Sequence, residues 1–413
     1  MKFQEYYCNN KIKLIFAIIF YVLICIAIGV GLILYYLSFL ANTYNYKKYD
    51  WNYCDSLNEI SDVGLGTTDV FDEFWKNRII SVIGTTNSHF PSSYGMINSE
   101  YSLLYQKLVE EIRKLHEKMG IVETEGKEIV LGAGSTQLLR AAFNVQFNNN
   151  PFTNEEEAKL YTQTPYFMFS ENLLQNSGLF NKEVLFITDK NELNNKWIEY
   201  INSPNNPTGL FNYPTTNASY YIYDRAYYWP HFLGKDQYNE IELTQEQKNK
   251  VIVETFTMSK MVGLASLRIG WALVSNKTIA DQMKNYIFSD SLGISSASVS
   301  DAISIFQYLN NKHNYRSFFY KWAIPKFTAR WEELSNSIEL NNYLYLSNSK
   351  GAYGVITHNN NTTNLYNYFL QNCSLKTQDG LLFGLNQNQV RINMMLGEKC
   401  WNNLLSCIKK NLE

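Results

Sequence analysis

Between residues 128 and 274, short β-rich apolar runs alternate with turn-rich breaks and helix-like stretches, and no other feature narrows the possible folds of this chain so far. Residues 128–131, 197–201, 220–223, 251–253 and 271–274 are rich in Ile, Val, Leu, Tyr and Trp, which suit a pleated, buried surface. Residues 138–147 read instead as a helix. Strands alternating with helices predict an α/β large domain with a mostly parallel sheet. Such sheets bind ligands beyond the carboxyl ends of their strands, so chemistry is expected in the loops that follow these runs.

Those loops carry groups that suit one another. Gly132-Ala133-Gly134-Ser135-Thr136-Gln137 joins a strand to a helix; glycines there let the backbone approach a phosphate, and the helix start favours its charge. Ser135 and Thr136 add hydroxyl donors, although such a turn alone is weak evidence for any ligand. Residues 203–209, Ser-Pro-Asn-Asn-Pro-Thr-Gly, form a punctuated loop from which Asn206 can donate its amide. Asp224 ends the run 220–223, where a buried carboxylate needs a cation or several donors to offset desolvation. A pair with Arg225 or a helix cap would also satisfy it. Thr257-Met258-Ser259-Lys260 follows the next run, and Arg268 lies eight residues beyond the lysine. A partly desolvated lysine near other cations attacks carbonyl carbon, and an arginine at a turn grips phosphate through two parallel hydrogen bonds. Pyridoxal phosphate needs an acid or arginine at its ring nitrogen to act as an electron sink, so this combination points to that cofactor.

In the order glycine loop, Pro165-Tyr166-Phe167, Asn206, Asp224, Tyr227, Lys260 and Arg268, the chain resembles the fold-type I pyridoxal-phosphate-dependent transferases. It is similar in particular to the alliinase and tryptophan aminotransferase family of plants. Val-Leu-Gly-Ala-Gly-Ser-Thr-Gln at 130–137, Tyr-Asp-Arg-Ala-Tyr-Tyr-Trp-Pro-His at 223–231 and Thr-Met-Ser-Lys at 257–260 carry that similarity, which runs from about residue 70 to the C-terminus. It implies Lys260 as the lysine bonded to the cofactor, Asp224 at the ring nitrogen, Asn206 and Tyr227 at the phenolic oxygen, and Phe167 stacked on the ring. The catalytic set would be Lys260, Asp224 and Tyr227. The phosphate would be held by Gly134, Ser135, Thr136, Thr257 and Arg268, with Tyr94 reaching in from a second copy of the chain, which implies a homodimer. Substrate would meet Gly66, Asn206 and Arg391, the last in Val390-Arg391-Ile392-Asn393 where the family clamps a carboxylate.

The chain departs from the family on the substrate side. The family's Gly-Asp-Pro-Thr becomes Gly66-Thr67-Thr68-Asp69, its Gly-Trp-His becomes Gly84-Thr85-Thr86, followed by Asn87, and its Gly-His-Ala/Ser-Gly-Ser-Arg becomes Gly263-Leu264-Ala265-Ser266-Leu267-Arg268. The same catalytic residues serve transfer of an amino group to a 2-oxo acid and β-elimination that breaks a C–S bond. Plant alliinases carry a cysteine-rich module ahead of the catalytic part; here only Cys54 lies between residue 41 and the glycine loop. The expectation is therefore an aminotransferase for an aromatic or other apolar L-amino acid. The alternatives are an alliinase-type lyase of S-alkyl-cysteine sulfoxides and a membrane-anchored cofactor-binding protein without turnover.

Residues 14–41 contain no charge and are long enough to cross a bilayer core of about 30 Å. A cleaved signal has a shorter apolar region, about 7–15 residues, so a transmembrane anchor is predicted. Lys2, Lys11 and Lys13 precede it, and Lys47 and Lys48 follow. The positive-inside rule puts the N-terminus in the cytosol and the catalytic part in a lumen or outside the cell. The expected organisation is a tail at 1–13, the anchor at 14–41, a tether at 42–55, a first segment of the small α+β domain at 56–93, the cofactor-binding large domain at 94–300 and the rest of the small domain at 301–413. Residues 236–250 read as a polar surface connection. The six cysteines lack metal-like spacing, so no metal is expected; Cys54 would pair with Cys373, Cys400 or Cys407, or all would be free thiols. Asn217, Asn276 and Asn361 begin formal glycosylation triplets, informative only for a lumenal domain. A net charge of -2 without a basic patch gives no reason to expect nucleic acid as a partner.

Overall fold

The strand runs assemble into one seven-stranded sheet in the order β2-β8-β7-β6-β5-β3-β4. In chain order these are β2 (Glu128–Gly132), β3 (Ala158–Tyr161), β4 (Val184–Ile187), β5 (Trp197–Asn202), β6 (Tyr220–Asp224), β7 (Val251–Thr257) and β8 (Gly270–Val274). The structure is a computed structural model that describes residues 61–64, 66–76, 78, 99–148, 158–179, 184–194, 196–233, 243–311 and 319–410. The expected anchor at 14–41, the tether, Cys54, Tyr94 and the stretch 84–87 lie outside them. Among the described residues no helix is long and apolar enough to cross a membrane.

The sheet is parallel from β4 through β7, and β8 runs antiparallel between β7 and β2. Alternation along each strand covers both faces. Val130, Ile222, Val253 and Ala272 pack into one apolar cluster, while Ile129, Leu131, Phe256 and Trp271 pack into another. A mostly parallel sheet buried on both sides reads as the continuous apolar runs seen in the sequence. Helices α2 (Ser135–Asn148) and α3 (Lys277–Ser291) cover the first face; α1 (Ser99–Met119) and α4 (Ser296–Asn310) contribute to the second cluster.

A second sheet is built after α5 (Phe319–Glu339). It is antiparallel, in the order β12-β13-β10-β9, from β9 (Leu344–Leu346), β10 (Tyr353–His358), β12 (Gln378–Asp379) and β13 (Gln389–Asn393). Strand β1 (Ser61–Asp62) pairs in parallel with β11 (Leu375–Lys376). The chain after β1 then lies along the end of β13, where the Asn393 amide donates to Val63 O at 3.0 Å and the Val70 amide to Met395 O at 2.9 Å.

Two expectations need correction. The polar tract 236–250 is not all connection: residues 245–250 form a helix opened by a capping box between Thr244 and Gln247. A threonine followed three residues later by glutamine satisfies two free N–H groups reciprocally, which outweighs the tract's polarity. The late cysteines are not free, because Cys373, at the end of α6 (Leu365–Cys373), is joined to Cys407 in α7 (Glu398–Ile408). Cys400 is disulfide-bonded as well. Helix packing brings Cys373 and Cys407 to a Cα separation of 5.9 Å, which no spacing in the sequence discloses.

Candidate active site

Strand register sets the floor of the site. Asn202 is paired with Asp224 across β5 and β6, Asp224 with Thr255 across β6 and β7, and Thr257 with Gly270 across β7 and β8. Gly270 in turn faces Gly132, where the glycine loop begins. The motif residues therefore stand side by side at the carboxyl edge of the parallel strands, where open sheets bind ligands. A cavity of about 200 Å³ opens there, lined by Ser135, Thr136, Phe167, Asp224, Tyr227, Thr257, Ser259, Lys260 and Arg268 among others.

One end of this cavity is built for an anion. Ser135 and Thr136 begin α2 and line the cavity together with Thr257, Ser259 and Arg268. Arg268 has a left-handed backbone, φ 51°, and is held in place by donating to Ala133 O and Ala265 O, each at 3.0 Å. The closeness requires bare backbone: a Cβ on Gly270 would stand 2.7 Å from Gly134 C and 2.8 Å from Ser135 N. Gly134, φ 82°, adopts a backbone that favours glycine, and a side chain there would strike Arg268 at 2.6 Å.

The other end is built for a cation. Asp224 is only 4% exposed; it accepts from the Tyr200 hydroxyl and the Ala226 amide, each at 3.1 Å. Arg225, the neighbour that sequence offered as a partner, turns instead to Glu254 at 3.2 Å. Burial pushes the Asp224 carboxyl up to about 6, against hydrogen bonds from Ala226, Tyr200 and Thr255 that lower it. A buried acid with neutral donors is completed by a positively charged N–H.

Lys260 and Arg391 approach from above this floor. Lys260 Nζ donates to Gly66 O at 2.6 Å, and Arg391 Nη2 donates to Gly64 O at 2.6 Å, so one short segment of chain faces both cations. Arg391 is 3% exposed and also donates from Nη1 to Asn206 Oδ1 at 2.8 Å. The Asn206 amide donates to the Tyr227 hydroxyl at 3.4 Å. Tyr227, Phe167, Asp224, Ser135, Thr136, Thr257, Lys260 and Arg268 thus share the cavity, while Gly66, Gly134, Asn206 and Arg391 adjoin it through these contacts. Tyr94 lies outside the described residues.

Asp69 belongs to the segment that departs from the family pattern. Its carboxylate accepts from Thr67 Oγ1 at 2.9 Å. Burial raises it to about 6, helped by Asp72 and opposed by the Thr67 hydrogen bond and Lys260. Sequence reasoning missed Tyr200, Ser259 and Tyr353. Ser259 was in view as the residue before Lys260, whereas Tyr200 and Tyr353 had no local signal.

The family model described as Allinase (Alliinase_C) matches residues 61–412. The chain belongs to the alliinase family. Among its relatives, tryptophan aminotransferase-related protein 3 of Arabidopsis thaliana is 26% identical over 375 residues, 84% of this chain and 78% of that protein. Alliin lyase 1 of Allium sativum is 28% identical over 243 residues, 56% of this chain and 46% of that protein. An aspartate aminotransferase from Thermotoga maritima shares the fold at a TM-score of 0.62 and 15% identity, over 85% of this chain and 91% of that one. The alliinase-family chain is a pyridoxal-phosphate-dependent enzyme of fold type I. Its residues fit the cofactor: hydroxyls and a guanidinium for the phosphate at one end, and a buried acid for the pyridine nitrogen at the other.

Proposed function

We propose that this enzyme is an aminotransferase that moves the amino group of an aromatic or other apolar L-amino acid to a 2-oxo acid. The disposition of Lys260 and Arg391, an amine and a guanidinium that donate to Gly66 O and Gly64 O beside the cofactor cradle, supports chemistry at an amino acid's α-carbon of either kind. The observation that favours amino transfer is that the aminotransferase-related relative of Arabidopsis thaliana aligns over more of this chain than the alliin lyase of Allium sativum does, 84% against 56%.

Bound pyridoxal phosphate supplies the electron sink that makes an α-proton removable. The chain does the rest. Ser135, Thr136, Thr257 and Arg268 would anchor the phosphate, and Asp224 would keep the ring nitrogen protonated. Arg391 holds the substrate carboxylate so that the α-carbon presents its proton to Lys260 Nζ, which accepts it and returns it as general base and acid. Asn206 and Tyr227, themselves in contact, would meet the phenolic oxygen. Asp69 and Thr67, beside Lys260, replace family residues and are the positions to vary when substrate preference is mapped. We assign the assembly as a homodimer in which Tyr94 completes the partner's phosphate site.

A β-eliminating C–S lyase is the alternative, supported by the alliin lyase relatives and by a residue set that serves both reactions. Purified protein loaded with cofactor and mixed with an amino-acid panel, with and without pyruvate or 2-oxoglutarate, separates them. Acceptor-dependent formation of a new amino acid is expected. Pyruvate and ammonia formed from S-alkyl-cysteine sulfoxides without acceptor would overturn the aminotransferase assignment, and a cofactor absorbance unresponsive to every amino acid would favour a binding protein.

We further propose that residues 14–41 anchor the enzyme, with the N-terminus cytosolic and the catalytic part lumenal or extracellular. The disulfide between Cys373 and Cys407 supports an oxidising compartment. Alkaline carbonate extraction checks the anchor: release of full-length protein into the supernatant contradicts it.

A further inference from the structure

Tyr353 reaches the site from β10, and its hydroxyl oxygen lies 3.0 Å from that of Tyr227. The Asn206 amide donates to the same Tyr227 hydroxyl at 3.4 Å, and its oxygen accepts from Arg391 Nη1 at 2.8 Å. The circuit closes because the Arg391 guanidinium stands 4.2 Å over the Tyr353 ring. A Cβ on Gly66 would lie 2.9 Å from the Tyr353 hydroxyl and 3.6 Å from Lys260 Nζ, so the hydroxyl and the amine flank one point that only glycine leaves open.

We propose that Tyr353 is a positioning residue with two separable parts: its ring seats Arg391 for the substrate carboxylate, and its hydroxyl, set between Tyr227 and the space beside Lys260, tunes the cofactor bond there. The ring acts because a guanidinium over an aromatic face is attracted by the ring's quadrupole and restricted in rotation. Without it, the side-chain anchors of Arg391 among the described residues are the carbonyl of Gly64, the oxygen of Asn206 and the stack on Phe383. The hydroxyl acts because the paired phenols are unequal. Burial pushes Tyr353 up, yet Lys260, Arg391 and the bond with Tyr227 outweigh it and hold Tyr353 below its ordinary value. Tyr227 is driven well above the ordinary value by burial and then by Tyr353. Tyr353 is therefore the member that yields a proton, and Tyr227 the one that keeps it. Linkage is reciprocal: a cation beside the Tyr353 hydroxyl favours loss of its proton, and an ionised Tyr353 favours retention of a cation beside it. The charged and titratable groups around this pair are Lys260, Arg391 and Asp224, with Asp69 beyond Lys260.

This inference rests on the roles proposed for Lys260 and Arg391. The test uses full-length enzyme loaded with pyridoxal phosphate and follows cofactor absorbance against pH, together with the apparent affinity for the amino-acid substrate. Tyr353→Phe keeps the ring and should leave affinity within about twofold, while the absorbance midpoint moves to lower pH by on the order of 0.5–1 unit. Tyr353→Leu removes the ring and should weaken substrate affinity by about tenfold. An unmoved midpoint in Tyr353→Phe overturns the role of the hydroxyl; wild-type affinity in Tyr353→Leu overturns that of the ring. Tyr353→Phe is near-isosteric and carries the test should the leucine variant fail to fold. A Lys260→Ala protein with wild-type absorbance would overturn the underlying assignment and this inference together, whereas a lost band beside an unmoved Tyr353→Phe midpoint overturns the role of the hydroxyl and leaves the Lys260 assignment standing.

Discussion

Asp224 holds its proton in the folded chain up to about pH 6, but in an unfolded chain only up to its ordinary value near 3.8. The folded state thus binds the extra proton between those values, and stability falls as pH rises through that window and is level above it. For cofactor-free protein the loss from this one group is on the order of 3 kcal/mol. Asp224→Asn should flatten that part of the curve while weakening cofactor binding, which urea unfolding at a series of pH values tests; an unchanged pH profile would count against the assignment. Asp224, Lys260 and Arg268 were legible because each ends or follows an apolar run in a familiar order. Tyr200, which donates to Asp224, was not. It looks like any strand tyrosine until pairing puts β5 beside β6.

At the scale of elements, strand register does what spacing alone does not. The parallel ladder aligns Asn202 with Asp224 and Asp224 with Thr255, so residues far apart in sequence line one edge. Strand existence followed from composition, but the antiparallel direction of β8 did not, because an apolar run reads the same in either direction. The loop 203–209 is legible as a turn from its prolines and glycine, but its contact with the turn between β9 and β10, where the Lys350 amide donates to Thr208 O at 2.8 Å, comes only with folding. Gly209, φ 70°, would put a Cβ 1.3 Å from Lys350 O, whereas a Cβ on Gly126, φ 69°, would meet nothing within 4 Å. Alanine at both positions pays for the left-handed backbone at about 1–2 kcal/mol, but Gly209→Ala must also displace a backbone carbonyl. Its cost should exceed that of Gly126→Ala by about 2 kcal/mol or more, read from denaturant midpoints at unchanged slope. Equal losses would mean that the two loops separate at little cost.

For the whole molecule, the covalent tie between Cys373 and Cys407 closes a loop across a separation of 34 residues. Chain-entropy arguments give such a closure about 4 kcal/mol, so Cys373→Ser should lower stability by a few kcal/mol under oxidising conditions and by much less in the presence of reductant. A wild-type protein indifferent to reductant in denaturant unfolding would contradict this. The same bond joins α6 to α7 in the part of the chain that carries Arg391 on β13, so reduction should loosen the substrate-carboxylate side before the cofactor cradle.

The sequence by itself determined the α/β class, the family, the cofactor and the order along the chain of the residues that line the cavity, because those depend on local pattern: apolar runs, glycine turns and the residue that ends each strand. Only the tertiary structure decided which groups meet across the site. Tyr353 lies 126 residues from Tyr227, and Arg391 lies 327 from Gly64, yet each pair is in contact. Such contacts are set by how the second sheet packs over the carboxyl edge of the first, a three-dimensional outcome of burying two apolar faces that no local period records.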